Sequence, residues 1–145
     1  LVWCADSGAY FVGRKFGKRK LAPNVSPNKS VEGLIGGLVT SGVVAAIVGQ
    51  YLQLSGGALA WFLALSAVTV AASVLGDLFE SMLKRRAGIK DSGNILPGHG
   101  GVLDRIDSLL SATPVFALGF WLLLEMGVFT EVWIKMHMAS LSQIL

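Results

Sequence analysis

Charge is scarce in this sequence. Of its 145 residues, 14% are Asp, Glu, Lys or Arg and 53% are hydrophobic. Soluble domains carry roughly 25% charged residues. The shortage excludes an ordinary water-soluble domain and points to an all-α fold, a polytopic helical membrane protein. Cysteine is nearly absent as well. Cys4 stands alone, so no internal disulfide can form, and no zinc-ligand spacing exists. It is expected as a small buried hydrophobe. There is no Walker A loop, no paired-histidine zinc motif and no internal repeat.

What is present is apolar length. Residues 34–76 contain no charged side chain at all. About 20 residues cross a hydrocarbon core of about 30 Å. The sequence therefore predicts spans at 34–54, 58–79 and 108–129, with a partial span near 1–12. The first two are separated only by Ser55, Gly56 and Gly57, so they must be antiparallel. Their content of Gly, Ala and Ser suits close helix contact in lipid. The third contains Pro114, with Glu125 near its far end. Residues 1–12 read as the end of a membrane helix, and the chain as the C-terminal part of a longer protein. Asp6, inside that apolar stretch, is either a functional acid or an N-cap.

The charges cluster. Residues 13–33, broken by glycines and two prolines, read as a basic loop. Residues 80–105 form a second. Together they hold eleven of the twelve basic residues. Two spans separate them, so both face one side, and the positive-inside rule makes that side cytoplasmic. Basic residues placed there serve orientation and anionic lipid, which argues against nucleic acid as a partner despite a pI near 9.3.

The second loop and its flanks form a polar island. Asp77 ends the second span. Asp104 and Asp107 start the third, and at i and i+3 they share a helix face. Two helix ends can thus bring acids together at the interface, where they repel unless a cation neutralises them. Magnesium suits such hard oxygen ligands. Lys84, Arg85, Lys90 and Arg105 can hold phosphate oxygens. The glycine turn around His99, Gly100 and Gly101 can present N–H groups to phosphate. The set amounts to a phosphoryl- or nucleotidyl-transfer site. Charged residues that merely cap and orient helices remain the alternative on chemistry alone.

Ser81, Lys84, Arg85, Lys90, Asp91, Gly93, Leu96, Pro97, His99, Gly100, Gly101, Asp104, Arg105 and Asp107 occur in one ordered pattern. That pattern resembles the signature of phosphatidate cytidylyltransferases, the CDP-diacylglycerol synthases. A shorter piece, Ser26-Pro27-Asn28-Lys29-Ser30 with Glu32, resembles a second segment of the same family. The resemblance implies transfer of CMP from CTP to phosphatidic acid in a membrane. It implies Asp77 and Asp104 as leading ligands of Mg2+ or Mn2+, with Asp107 and Asp91 nearby. Lys84, Arg85, Lys90 and Arg105 would bind phosphates. Ser26, Lys29 and Glu32 would shape the nucleotide pocket, with Ser81, His99, Gly100 and Gly101 also contacting substrate. CTP, phosphatidic acid and membrane lipid are the implied partners, and a homodimer is allowed for. The rival readings are a CTP-dependent kinase of a polyprenol-type lipid and a non-enzymatic membrane module.

Overall fold

The computed structural model describes residues 1–23, 25–54, 56–89, 103–130 and 134, and of residues 103–105 the backbone alone. The described residues form helix α1 (Val2–Phe16), strands β1 (Lys20–Ala22) and β2 (Ser26–Ser30), and helices α2 (Val31–Tyr51), α3 (Gly56–Arg86) and α4 (Leu103–Glu125). The helical membrane fold expected from composition is present. Three of the helices, α2, α3 and residues Ile106–Glu125 of α4, are long and apolar enough to cross a membrane.

The first thirty residues depart from the expected partial span and loop. Helix α1 does not stop at residue 12 but continues through the basic Arg14 and Lys15, which sit in its last turn. Cations there complement the negative end of the helix dipole. At fifteen residues α1 is about 22 Å long, short of a full crossing. Cys4 lies on it half-buried, not in the core. The segment read as a basic loop instead contains an antiparallel hairpin, in which Lys20 pairs with Ser30 and Ala22 with Ser26. Pro27 is accommodated because a two-stranded ribbon consists only of edge strands. The Glu32 carboxylate holds the hairpin's approach by accepting the N–H groups of Lys18 at 3.1 Å and Arg19 at 3.2 Å.

Helix α2 starts where Ser30 caps it, the hydroxyl accepting the Gly33 N–H at 3.1 Å. It ends with Gln53 at φ 56°, while Leu54 N–H donates to Gly49 O and Gln53 N–H to Gln50 O, both 2.9 Å. This is a Schellman closure with glutamine where glycine is usual. The helix therefore occupies 31–51, starting three residues ahead of the apolar run expected at 34–54. Helix α2 lies against α1 almost backbone to backbone. A Cβ at Gly37 would stand 2.8 Å from Ala5 O, and one at Gly33 2.9 Å from Ala9 O. Small residues at such crossings supply van der Waals contact where lipid offers no hydrophobic drive.

Helix α3 has 31 residues and is about 46 Å long, well over the thickness of a hydrocarbon core. It does not end at residue 79. Its last three turns project past the apolar run and carry Asp77, Glu80, Ser81, Lys84 and Arg85 on a rigid extension. Gly88, at φ 71°, closes it by the same Schellman pattern, with Ile89 N–H on Lys84 O at 3.0 Å. Helix α4 begins at residue 103 and includes Asp104, Arg105 and Asp107, five residues ahead of the expected span. It closes at Gly127 rather than running to 129.

The apolar core lies at one end of the bundle, built from Ala45, Leu54, Phe62, Leu65, Leu123 and Phe129. Phe129 stacks on Phe120 at 5.3 Å and meets Phe62 edge-on at 6.4 Å. Along α3 the buried hydroxyls of Ser66, Thr69 and Ser73 donate to carbonyls of their own helix at 2.8 Å. Ile35, Val39, Val43 and Ile47 form an exposed row on α2, the face such a helix turns to lipid. The polar residues gather at the other end of the bundle, where the hairpin, the start of α2, the end of α3 and the start of α4 meet.

Candidate functional site

Asp77 is the meeting point. It sits near the end of α3, and Lys29 reaches it from β2 to form an ion pair in which both side chains are about one-quarter exposed. The hairpin matters for this contact because Lys29 precedes the α2 cap by one residue, so the strand aims it across the bundle end at α3. Ser81, one turn along α3, donates to the other oxygen of Asp77 at a long 3.5 Å. One turn further, Lys84 pairs with Glu80 at 3.2 Å.

Two more carboxylates face this pair. Asp107 on α4 lies within electrostatic range of Asp77, Glu80 and Lys84, and accepts the Ser108 N–H at 2.7 Å. Asp6 on α1 lies within electrostatic range of Asp77 and Lys29. Asp6, Asp77 and Asp107 therefore come from three helices toward one place. Like charges so arranged repel, and a cation relieves them.

An open cavity of about 620 Å³ adjoins the pair. Its wall includes Asp6, Tyr10 and Arg14 of α1, Ser26, Asn28 and Lys29 of β2, and Asp77 of α3. The Arg14 guanidinium donates to the Tyr10 hydroxyl at 3.1 Å, so both present together along the rim.

The residues expected at the site divide into four groups. Asp77, Asp107, Ser81, Lys84, Lys29 and Ser26 are brought to the same end of the bundle. Glu32 is near but occupied, since its carboxylate accepts backbone N–H groups of Lys18 and Arg19. Arg85 is exposed in the last turn of α3. Lys90, Asp91, His99, Gly100 and Gly101 lie outside the described residues, as do the side chains of Asp104 and Arg105, whose backbone opens α4.

Asp6 was legible only as an ambiguity. It is not an N-cap, because Leu1 holds that position and Asp6 lies within the helix. The signal was an acid interrupting an apolar run. Tyr10 in the partial span and Arg14 in the basic loop carried no signal that set them apart, and Asn28 stood in the shorter family-like segment without a role of its own.

Among the described residues no group of three or more His, Cys, Asp or Glu is close enough to form a ready metal cage. The donor chemistry nevertheless fits a hard divalent cation. The facing groups are carboxylates, their number exceeds the cation that reaches Asp77, and magnesium usually takes only one or two protein carboxylates, completing its shell with water and phosphate.

The fold and this site define a helical membrane protein with an acid-and-base cluster at the end of its spans. The sequence model of the cytidylyltransferase family matches residues 1–138, and the chain belongs to that family. Among similar proteins is a phosphatidate cytidylyltransferase of Haemophilus influenzae, 58% identical over 130 residues, covering 86% of this chain and 44% of that protein. One of Pseudomonas aeruginosa is 61% identical over 121 residues, covering 83% and 45%. One of Thermotoga maritima is 46% identical over 128 residues, covering 84% and 47%. The chain thus spans less than half the length of these relatives. A solved structure described as an intramembrane enzyme for archaeal membrane lipid biosynthesis shares the fold, with a TM-score of 0.57 at 19% identity over 97% of this chain and 90% of that one.

Proposed function

We propose that this chain is the C-terminal catalytic part of a phosphatidate cytidylyltransferase. The reaction is attack by the phosphate of phosphatidic acid on the α-phosphorus of CTP. The bond to the β-phosphate breaks, CDP-diacylglycerol forms and pyrophosphate leaves. The attacking oxygen is already ionised, so no protein nucleophile is required.

The observation that carries this reading is the convergence of Asp77, Lys29, Asp6 and Asp107 from four elements beside an open cavity. It lies where α3 passes out of its apolar run. A lipid phosphate at head-group depth and a nucleotide from water can both reach such a place. The relatives' shared name and the ordered signature over residues 81–107 support the same substrates.

Within this reading Asp77 and Asp104 hold a divalent metal, magnesium or manganese, with Asp107 and Asp91 beside them. The ion would neutralise charge on the triphosphate and the departing pyrophosphate. Lys84, Arg85, Lys90 and Arg105 bind phosphate oxygens, Arg105 with a planar fork. Lys29 and Ser26 face the nucleotide from the hairpin. Ser81, His99, Gly100 and Gly101 complete the contacts. Glu32 acts by holding the hairpin in place. The site faces the cytoplasm, supported by the charge asymmetry of the two loops. A homodimer would cover part of the apolar row on α2, and lipid would cover the rest.

The test is direct. The purified protein in phosphatidic-acid micelles should convert labelled CTP to CDP-diacylglycerol in a metal-dependent way. Asp77→Asn should abolish conversion while the protein still inserts. Formation of a phosphorylated alcohol and CDP from CTP, with no CDP-lipid, would reject the reading.

A further inference from the structure

Asp77 carries two assignments that conflict. It is a leading candidate for the metal, yet a lysine ammonium already holds one of its oxygens. Neither residue is free to be discounted. Lys29 is placed by the hairpin register, one residue before the Ser30 cap, and Asp77 by the rigid end of α3. Asp6 also lies within electrostatic range of Lys29. The ammonium therefore supplies the positive charge that these facing carboxylates require.

An ammonium and a hydrated divalent ion seek the same oxygens, and the doubly charged ion gains more from them. The Lys29 stem has four flexible carbons and its head is a compact charge with no directional fork. It can leave Asp77 without moving the strand that bears it. Its position on the cavity wall means that a released ammonium faces the space where a phosphate would sit.

We infer that Lys29 is a place-holding cation: it neutralises Asp77 until a divalent ion displaces it, and the displaced ammonium then turns to a phosphate of the substrate. This rests on the metal and nucleotide reading above. Its consequence is coupling. Metal binding creates a phosphate ligand, and phosphate binding removes the metal's competitor, so each favours the other by the same factor.

The experiment measures binding without turnover. Purified protein in detergent is titrated with Mn2+ alone, and free ion is read by electron paramagnetic resonance. Lys29→Met should tighten Mn2+ binding by about fivefold or more, the lower range of coupling between sites. Lys29→Arg keeps the charge but grips a carboxylate with two parallel bonds, and should weaken it. A charge acting only through space would leave Lys and Arg alike, so equal affinities for those two overturn the proposal. So does a Lys29→Met protein that binds no tighter than the unaltered one.

A second measurement needs no variant. The acylation rate of Lys29, followed by mass spectrometry, should rise about fivefold on adding Mg2+, relative to exposed Lys18. It should fall again when pyrophosphate is added with the metal. A rate unmoved by Mg2+ overturns the exchange. No saturable Mn2+ binding in any of the proteins overturns both the exchange and the metal assignment, while CDP-diacylglycerol formation would stand on its own assay.

Discussion

Gly76 of α3 and Ser111 of α4 touch with no room for a methyl group between them. A Cβ at Gly76 would lie 2.0 Å from the Ser111 hydroxyl oxygen and 2.4 Å from its Cβ. The contact stands one residue from Asp77 and one helical turn from Asp107, so the spacing of those two acids depends on it. Gly76→Ala should force the helices apart, at a cost of about 1–3 kcal/mol. The melting temperature in detergent should fall and CDP-diacylglycerol formation should drop at least about tenfold, the rate equivalent of 1.4 kcal/mol. Adding Ser111→Gly should restore much of both, because it vacates the space the new methyl requires. Lost activity with no recovery in the double variant would mean that Gly76 acts in some other way.

Asp6 faces Asp77 and Lys29 from a different helix. Asp6→Asn keeps the size but removes the charge. Loss of a supporting carboxylate of this kind typically costs about 10–100-fold in metal affinity or activity. The expected result is a raised metal requirement for transfer with unchanged membrane insertion. Activity within twofold of the parent at every metal concentration would reduce Asp6 to a helix residue that happens to be near.

Glu32 separates two kinds of role. Its carboxylate accepts the backbone N–H groups of Lys18 and Arg19, bonds that are stronger for being charge-assisted. Glu32→Gln should speed amide exchange at those two positions about tenfold and raise the KM for CTP modestly, with kcat nearly unchanged. A large fall in kcat with unaltered exchange would instead place Glu32 on the substrate.

Gly88 tests the closure of α3 in isolation. It holds φ 71°, and a Cβ there would meet nothing within 4 Å. Gly88→Ala therefore strains only the backbone, by about 1–2 kcal/mol. The melting temperature should fall, while Gly57→Ala, equally open but with no positive φ to maintain, should leave it unchanged or raise it.

The orientation proposal has its own check. Gln53 closes α2 and Ala87 follows α3, at opposite ends of the bundle. Single cysteines at these positions, in a Cys4→Ser background, should be labelled from opposite sides of the membrane, Ala87→Cys from the cytoplasm. Labelling of both from one side would rule out the arrangement.

Much of the architecture was legible in the chain. Hydropathy located three membrane helices, because about 20 uncharged residues in lipid have few alternatives to helix. The short connection around Gly56 required antiparallel neighbours, and the two basic loops had to share a side. Asp77, Lys84 and Asp107 were visible as polar residues at the ends of apolar runs. The glycines at 88 and 127 went unread as helix stops, because hydropathy alone set the ends at 79 and 129.

Other features depended on contacts between distant residues. The hairpin at 20–30 was hidden, since a strand of Ser, Pro, Asn and Lys has no apolar alternation, and it forms by pairing with β1 and by Glu32 anchoring its approach. Asp6 could be weighed but not assigned, because its meaning comes from Asp77, seventy-one positions away. The pairing of Lys29 with Asp77 was equally out of reach. Local sequence determines where a helix runs and what it exposes to lipid. Which charges face one another is decided only when α1, the hairpin, α3 and α4 pack at one end, because the energy of each charge depends on neighbours that the chain order does not reveal.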